Sequence, residues 1–168
     1  MKRLQWTAVF LIVLFCYGCA GRGKGLGPET LAFYHDELAL TQLINEQDSP
    51  QRKASMRILA QAWDKRESGQ LISDLEQALR IDARNPFAYY YLSFAYLDQG
   101  QFKESLVYSK QSQKRFRDPR WQGKALVLEA RAHAELNQIS EALSAYQEAR
   151  QKDPINPLIK KGLDEVNH

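Results

Sequence analysis

The chain has 168 residues, 44% of them hydrophobic, with 9 glycines and 6 prolines, which is the size and composition of one α-rich domain. Its formal net charge of +3 includes Lys2 and Arg3, so the rest is close to neutral and lacks the clustered basic surface that reading nucleic acid requires. Both cysteines, Cys16 and Cys19, fall at the N-terminus, which excludes a disulfide, a zinc knuckle and a cysteine nucleophile from the remainder.

Residues 1–19 start with Lys2-Arg3, run uncharged and apolar from Leu4 to Phe15, and end in Cys16-Tyr17-Gly18-Cys19. A charged start, an apolar middle and a small-residue end make the pattern of an export signal. The uncharged stretch from Leu4 to Gly21 is marginal for a membrane span, which takes about 20 apolar residues. Gly18-Cys19 resembles the lipobox of bacterial lipoproteins, in which a small residue precedes the cysteine that is lipidated and becomes the new N-terminus; Cys16 stands where that family usually has Leu. The resemblance implies a signal peptide over residues 1–18 and an acyl anchor such as palmitate on Cys19. An uncleaved anchor helix is the other reading, and both put the folded part at a membrane. Residues 20–28 are glycine-rich and read as a flexible tether with a reach on the order of 15–18 Å. By the same resemblance, Ala20 in place of Asp after the cysteine implies an outer-membrane address facing the periplasm.

The remainder, residues 29–168, is punctuated by Ser49-Pro50, Asn85-Pro86, Asp118-Pro119, Asp153-Pro154 and Asn156-Pro157. Each pairs a capping residue with a proline, whose missing N–H costs nothing at a helix start, so each is an expected helix entry. A helix is expected from Glu29 to about Gln47 on Leu31, Tyr34 and Leu38, continued by Leu40, Leu43 and Ile44. Another is expected from Pro50 to about Lys65, carrying Leu59, Ala62 and Trp63. After Gly69, the residues Leu71, Ile72, Leu75, Ala78 and Leu79 form an amphipathic stripe. No stretch alternates with period two, so the expected class is all-α.

Residues 78–92, Ala-Leu-Arg-Ile-Asp-Ala-Arg-Asn-Pro-Phe-Ala-Tyr-Tyr-Tyr-Leu, resemble the junction between two tetratricopeptide repeats, whose unit is 34 residues. In the copy at 86–119, Tyr89, Leu92-Ser93, Tyr96, Gly100 and Phe102 occupy consensus slots. In the copy at 123–156 the matching residues are Leu126, Ala130, His133, Ile139, Ala142, Tyr146, Ala149 and Pro154. The copies begin 37 residues apart, so about three extra residues fall near Pro119 to Gln122. Where the two helices of a repeat must approach closely, this chain keeps small residues in both copies: Ser93 and Ala130, Ser105 and Ala142, Ser112 and Ala149. Residues 52–85 form a degenerate earlier repeat in which Gly69 lies about three residues too close to the second helix. Residues 157–168, with Ile159, Leu163 and Val166 on one side, suit a capping helix. The resemblance implies a right-handed superhelical stack of helical hairpins.

A search for catalytic constellations finds none. His35, His133 and His168 are scattered without ligand spacing, and His133 falls in a packing slot of the repeat. Neither a metal nor a cofactor is expected, and the chain is not expected to be an enzyme. By resemblance the first helices of the repeats line a concave groove, whose slots fall on Phe87, Tyr90, Phe94, Leu97 and Asp98, then on Lys124, Val127, Arg131, Ala134 and Glu135. The aromatic first set is either an open binding surface or core beneath the N-terminal helices. Some relatives clamp a peptide carboxylate with groove Lys and Asn; Tyr90, Phe94, Val127 and Arg131 stand in those slots here, leaving that clamp incomplete. An extended or helical apolar segment fits better, with Lys124 and Arg131 pairing acidic flanks. The basic run Lys110, Lys114, Arg115, Arg117, Arg120 and Lys124 is either a solvated helix end or an edge for anionic lipid or an acidic protein. The expected function is a membrane-anchored periplasmic adaptor or scaffold for a protein or peptide partner in a cell-envelope assembly. The alternative is a homo-oligomer built on the same aromatic surface.

Overall fold

The computed structural model of the chain describes residues 37–66 and 69–167. The leader, Cys19, the tether, His35, His168 and the start of the helix expected from Glu29 lie outside the described residues. Among the described residues there are eight helices and no strand: α1 (Glu37–Asn45), α2 (Pro50–Asp64), α3 (Leu71–Ile81), α4 (Pro86–Asp98), α5 (Phe102–Arg115), α6 (Pro119–Glu135), α7 (Ile139–Lys152) and α8 (Pro157–Val166). Each helix packs on the next in sequence, and α2, α4, α6 and α8 also touch in series. Contacts dominated by nearest and next-nearest helices are the mark of a quasi-one-dimensional hairpin stack.

Four of the five proline pairs start helices. Ser49, Asn85, Asp118 and Asn156 adopt extended backbone and accept a hydrogen bond from the N–H of the second or third helical residue, while the following proline takes the first helical position. Asp153-Pro154 is the exception and a correction, since Asp153 closes α7 and Pro154 lies in the turn before α8. A carbonyl at the end of α7 already accepts the Asp153 N–H, at 2.8 Å from Ala149, so the residue serves as a stop.

In the degenerate repeat, α2 ends at Asp64 and α4 ends at Asp98, at the 34-residue spacing of the unit. The first helix is therefore in register. The irregularity lies in the connection, which runs from Lys65 to Gln70 and delays the start of α3. A satisfied polar chain ties this repeat to the next: Asn85 Nδ2 donates to Ser55 Oγ at 2.9 Å, and Ser55 Oγ donates to the Ala78 carbonyl at 2.7 Å, with Ser55, Ala78 and Asn85 all fully buried.

The three extra residues between the last two copies have a defined place. Helix α6 has 17 residues where α4 has 13, because it begins a full turn earlier, at Pro119. The link before it, Phe116 to Asp118, is one residue shorter than the link from Asp82 to Asn85 before α4. All six small residues at the matching sites are fully buried. Between Ser93 and Ser105 the hydroxyls come within 3.1 Å, a separation that larger side chains would prevent. The hairpin turns also match: Gly100 at φ 75° and Asn137 at φ 58° occupy the same slot, and the next N–H reaches back to the carbonyl of Tyr96 or of His133, at 2.8 and 2.9 Å.

Helix α4 is the centre of the stack. Of its 13 residues only Tyr89, Tyr96 and Asp98 are not buried. At the far end α8 seats Ile159 in the core and lays Gly162 against Tyr146, whose ring atoms would be 2.1 Å from a Cβ at that position.

Candidate functional site

The expected groove residues fall into five matched pairs across the two repeats: Phe87 with Lys124, Tyr90 with Val127, Phe94 with Arg131, Leu97 with Ala134, and Asp98 with Glu135. The structure treats the two members differently. Phe87, Tyr90, Phe94 and Leu97 are buried, at 7%, 0%, 2% and 6% exposure, and the expectation of an open aromatic groove there is corrected. Two tryptophans supply the physical reason. Trp121, carried by the extra turn of α6, packs edge-on against Phe87 at 4.9 Å and Tyr90 at 5.4 Å, with Phe116 stacked beside it. Trp63 of α2 packs edge-on against Tyr91 at 5.0 Å and Phe94 at 5.2 Å. Edge-to-face contacts of this kind add to the area the rings bury. The sequence held a signal for this outcome, since α4 has no continuous polar face, and a helix apolar all round is buried.

Of the second set, Val127 is buried as well, a further correction, and Lys124 lies with its Nζ 4.5 Å from the Trp121 ring centre. Arg131, Ala134 and Glu135 remain accessible. Together with Tyr146 of α7 and Glu165 and Val166 of α8 they line a cleft of about 220 Å³ between the ends of α6 and α8. Gly162 shapes it, because only a residue without Cβ lets the Tyr146 ring lie against the α8 backbone. The sequence pattern puts Val166 on the cap's inner side and singles out no role for Glu165. Their part in the site follows from treating α8 as the first helix of an unfinished repeat.

The remaining polar constellations are accounted for by packing. His133 Nδ1 is 2.6 Å from Gln138 Oε1, and its Nε2 faces Glu129 Oε1 at 3.6 Å, while Glu129 also accepts from Gln113 Nε2 at 2.5 Å and pairs with Lys110 at 3.5 Å. This network joins α5, α6 and the following turn. Tyr96 stacks on Tyr108 and donates to Glu76 Oε1 at 3.5 Å; burial, followed by those two neighbours, pushes its phenol up to about 12. In the basic run, Arg115 covers the Tyr89 ring at 4.2 Å and Arg120 pairs with Asp118 at 3.3 Å, so the cations are dispersed among local partners. Lys114 and Arg117 are exposed. Among the described residues no group of three or more His, Cys, Asp or Glu could hold a metal ion, and no helix is long and apolar enough to cross a membrane.

No family model matches this sequence, and no curated protein matches it. Solved structures do. The tetratricopeptide domain of Arabidopsis OM64 superposes with a TM-score of 0.62 at 17% identity, covering 69% of this chain and 96% of that domain. The N-terminal domain of stress-induced protein-1 (STI-1) from C. elegans superposes with a TM-score of 0.63 at 16% identity, covering 72% of this chain and all of that domain. At such identities the likeness carries the fold: this chain is an all-α stack of helical hairpins built like the tetratricopeptide domains it resembles.

Proposed function

We propose that the chain is a lipid-anchored periplasmic adaptor that holds a protein partner at the outer membrane within a cell-envelope assembly. The observation that carries the binding part is the cleft between the ends of α6 and α8, where Arg131 and Ala134 stay accessible while Phe94 and Leu97, their equivalents one repeat earlier, are core. The fold shared with tetratricopeptide domains supports a protein-protein interaction role. The anchoring part rests on the sequence pattern ending in Gly18-Cys19 and on Ala20. Self-association through the aromatic surface is not carried further, because its residues are inside the stack.

Two experiments test the two parts separately. A photo-crosslinking residue at Ala134 should capture a defined protein in intact cells, whereas one at the exposed Lys114 should not; equal, diffuse labelling from both overturns the binding site. Cys19→Ser should abolish acyl labelling and leave precursor or soluble protein. Unchanged lipid labelling sinks the anchor.

A further inference from the structure

We propose that the cleft between α6 and α8 receives a lysine or arginine side chain of the partner. This inference rests on the adaptor reading above and specifies its chemistry. At about 220 Å³ the cleft is below the roughly 300–1,000 Å³ of small-molecule pockets, a size suited to one long side chain of a peptide. Three charged residues line it, Arg131 and Glu135 from α6 and Glu165 from α8, and none of the three side chains forms an ion pair or hydrogen bond among the described residues. The balance is therefore one uncompensated negative charge.

The helix ends strengthen that field. Glu135 is the last residue of α6 and Glu165 the penultimate residue of α8, so each carboxylate adds to the partial negative charge of its helix C-terminus. The last turn of α8 has no basic residue, and that of α6 has only His133, which faces Gln138 and Glu129. The second helices of the hairpins do the reverse: α3 ends with Arg80, α5 with Lys114 and Arg115, and α7 with Arg150 and Lys152, where cations offset the dipole. Helix α4, one repeat before α6, ends in the exposed Asp98. Acidic ends thus recur along the first helices, and the cleft is where two of them converge. Tyr146, buried beneath Gly162 of α8, closes the base of the cleft. Arg131 stands one turn before Glu135 and suits the partner's main-chain carbonyls. Carboxylates arranged in this way also raise the encounter rate with a basic segment.

The test uses the full-length protein in neutral detergent and arrays of nine-residue acetylated, amidated peptides with random flanks. One array has Lys or Arg fixed at the centre and the other has Asp or Glu. The Lys/Arg array should retain about fivefold more protein or better, the equivalent of one partly exposed ion pair, and the preference should fade in 0.5 M salt. Glu135→Gln with Glu165→Gln should erase the preference, and Arg131→Ala should increase it. Both glutamates are exposed, so circular dichroism should be unchanged. Retention favouring Asp/Glu, a preference that survives the double substitution, or no retention by either array overturns the inference. If Ala134 crosslinking continues undiminished in the double-Gln protein, the cationic-side-chain inference fails and the adaptor reading stands. If Ala134 never crosslinks, the adaptor reading fails as well.

Discussion

The hairpins α4–α5 and α6–α7 have the same helical unit and small residues at their crossings, yet the first helix of one is the interior of the protein and the first helix of the other lines its accessible cleft. In the first, the slots expected to face a groove hold Phe87, Tyr90, Phe94 and Leu97, covered by Trp63 from one side and Trp121 from the other. In the second, the matching slots hold Lys124, Val127, Arg131 and Ala134, with the capping helix α8 beyond them. A repeat position therefore fixes where a side chain points, and its neighbours decide whether that direction leads to solvent. The extra turn of α6 makes the difference at the first repeat's N-terminal slots, because it is the segment that carries Trp121.

Phe94 and Arg131 give the sharpest way to break this comparison. Phe94→Ala should cost about 3–5 kcal/mol, the range for truncating a buried phenylalanine. Arg131→Ala, at the equivalent slot, should stay within about 0.5 kcal/mol. Urea unfolding followed by far-ultraviolet circular dichroism measures both. Similar losses at the two positions would mean that the second repeat's slots are as closed as those of the first.

Two glycines come next. A Cβ on Gly123 would lie 2.7 Å from the Asp153 Cβ, and one on Gly162 would lie within 2.5 Å of three Tyr146 atoms. Gly123→Ala and Gly162→Ala should each cost about 1–3 kcal/mol by overpacking. Their consequences should differ. Gly162→Ala displaces Tyr146 from the cleft wall and so should reduce Ala134 crosslinking, whereas Gly123→Ala should lower the melting temperature with less effect on capture.

How much of this was legible in the sequence follows from the physics of each feature. Caps and prolines act within a few residues, so Asn85-Pro86 or Asn156-Pro157 could be read directly. Small residues in register reported the helix crossings, because close approach between backbones depends on volume alone. Exposure is different, being set by residues distant in sequence. Nothing local to Tyr90 announces that Trp121 sits on it, and the one usable clue, a helix without a polar face, could only leave core standing beside an open groove as an alternative. Asp153-Pro154 misled for the opposite reason, since the same dipeptide can open a helix or close one.

The hairpin turns give a smaller test of equivalence. Both Gly100 and Asn137 hold positive φ, which other L residues occupy at a cost. Gly100→Ala should lose roughly 1 kcal/mol, and Asn137→Gly should be within about 0.5 kcal/mol of neutral, because Asn already tolerates this conformation. A large loss for Asn137→Gly would show that its side chain, and not its backbone, closes the turn.

A pH-dependent effect separates the degenerate repeat from the last one at a single contact. Arg52 and Asp82 occupy the slots that Gly123 and Asp153 occupy later, so an ion pair joins the hairpin where a bare backbone does so in the other copy. Burial alone would push the Asp82 carboxyl up, but the hydrogen bond from Arg52, the backbone N–H of Arg84 and the charges of both hold it below the ordinary value of 3.8. A depressed carboxylate contributes stability that is present above its unfolded value and lost as pH falls through the lower folded value. Arg52→Ala should therefore cost up to about 1 kcal/mol at neutral pH, the range for a partly exposed pair. Its deficit should shrink as the pH drops below about 4, where the native protein loses the same contribution. Unfolding both proteins in urea at pH 7 and pH 3 measures the convergence; a deficit that is constant across this range would assign Arg52 to packing alone.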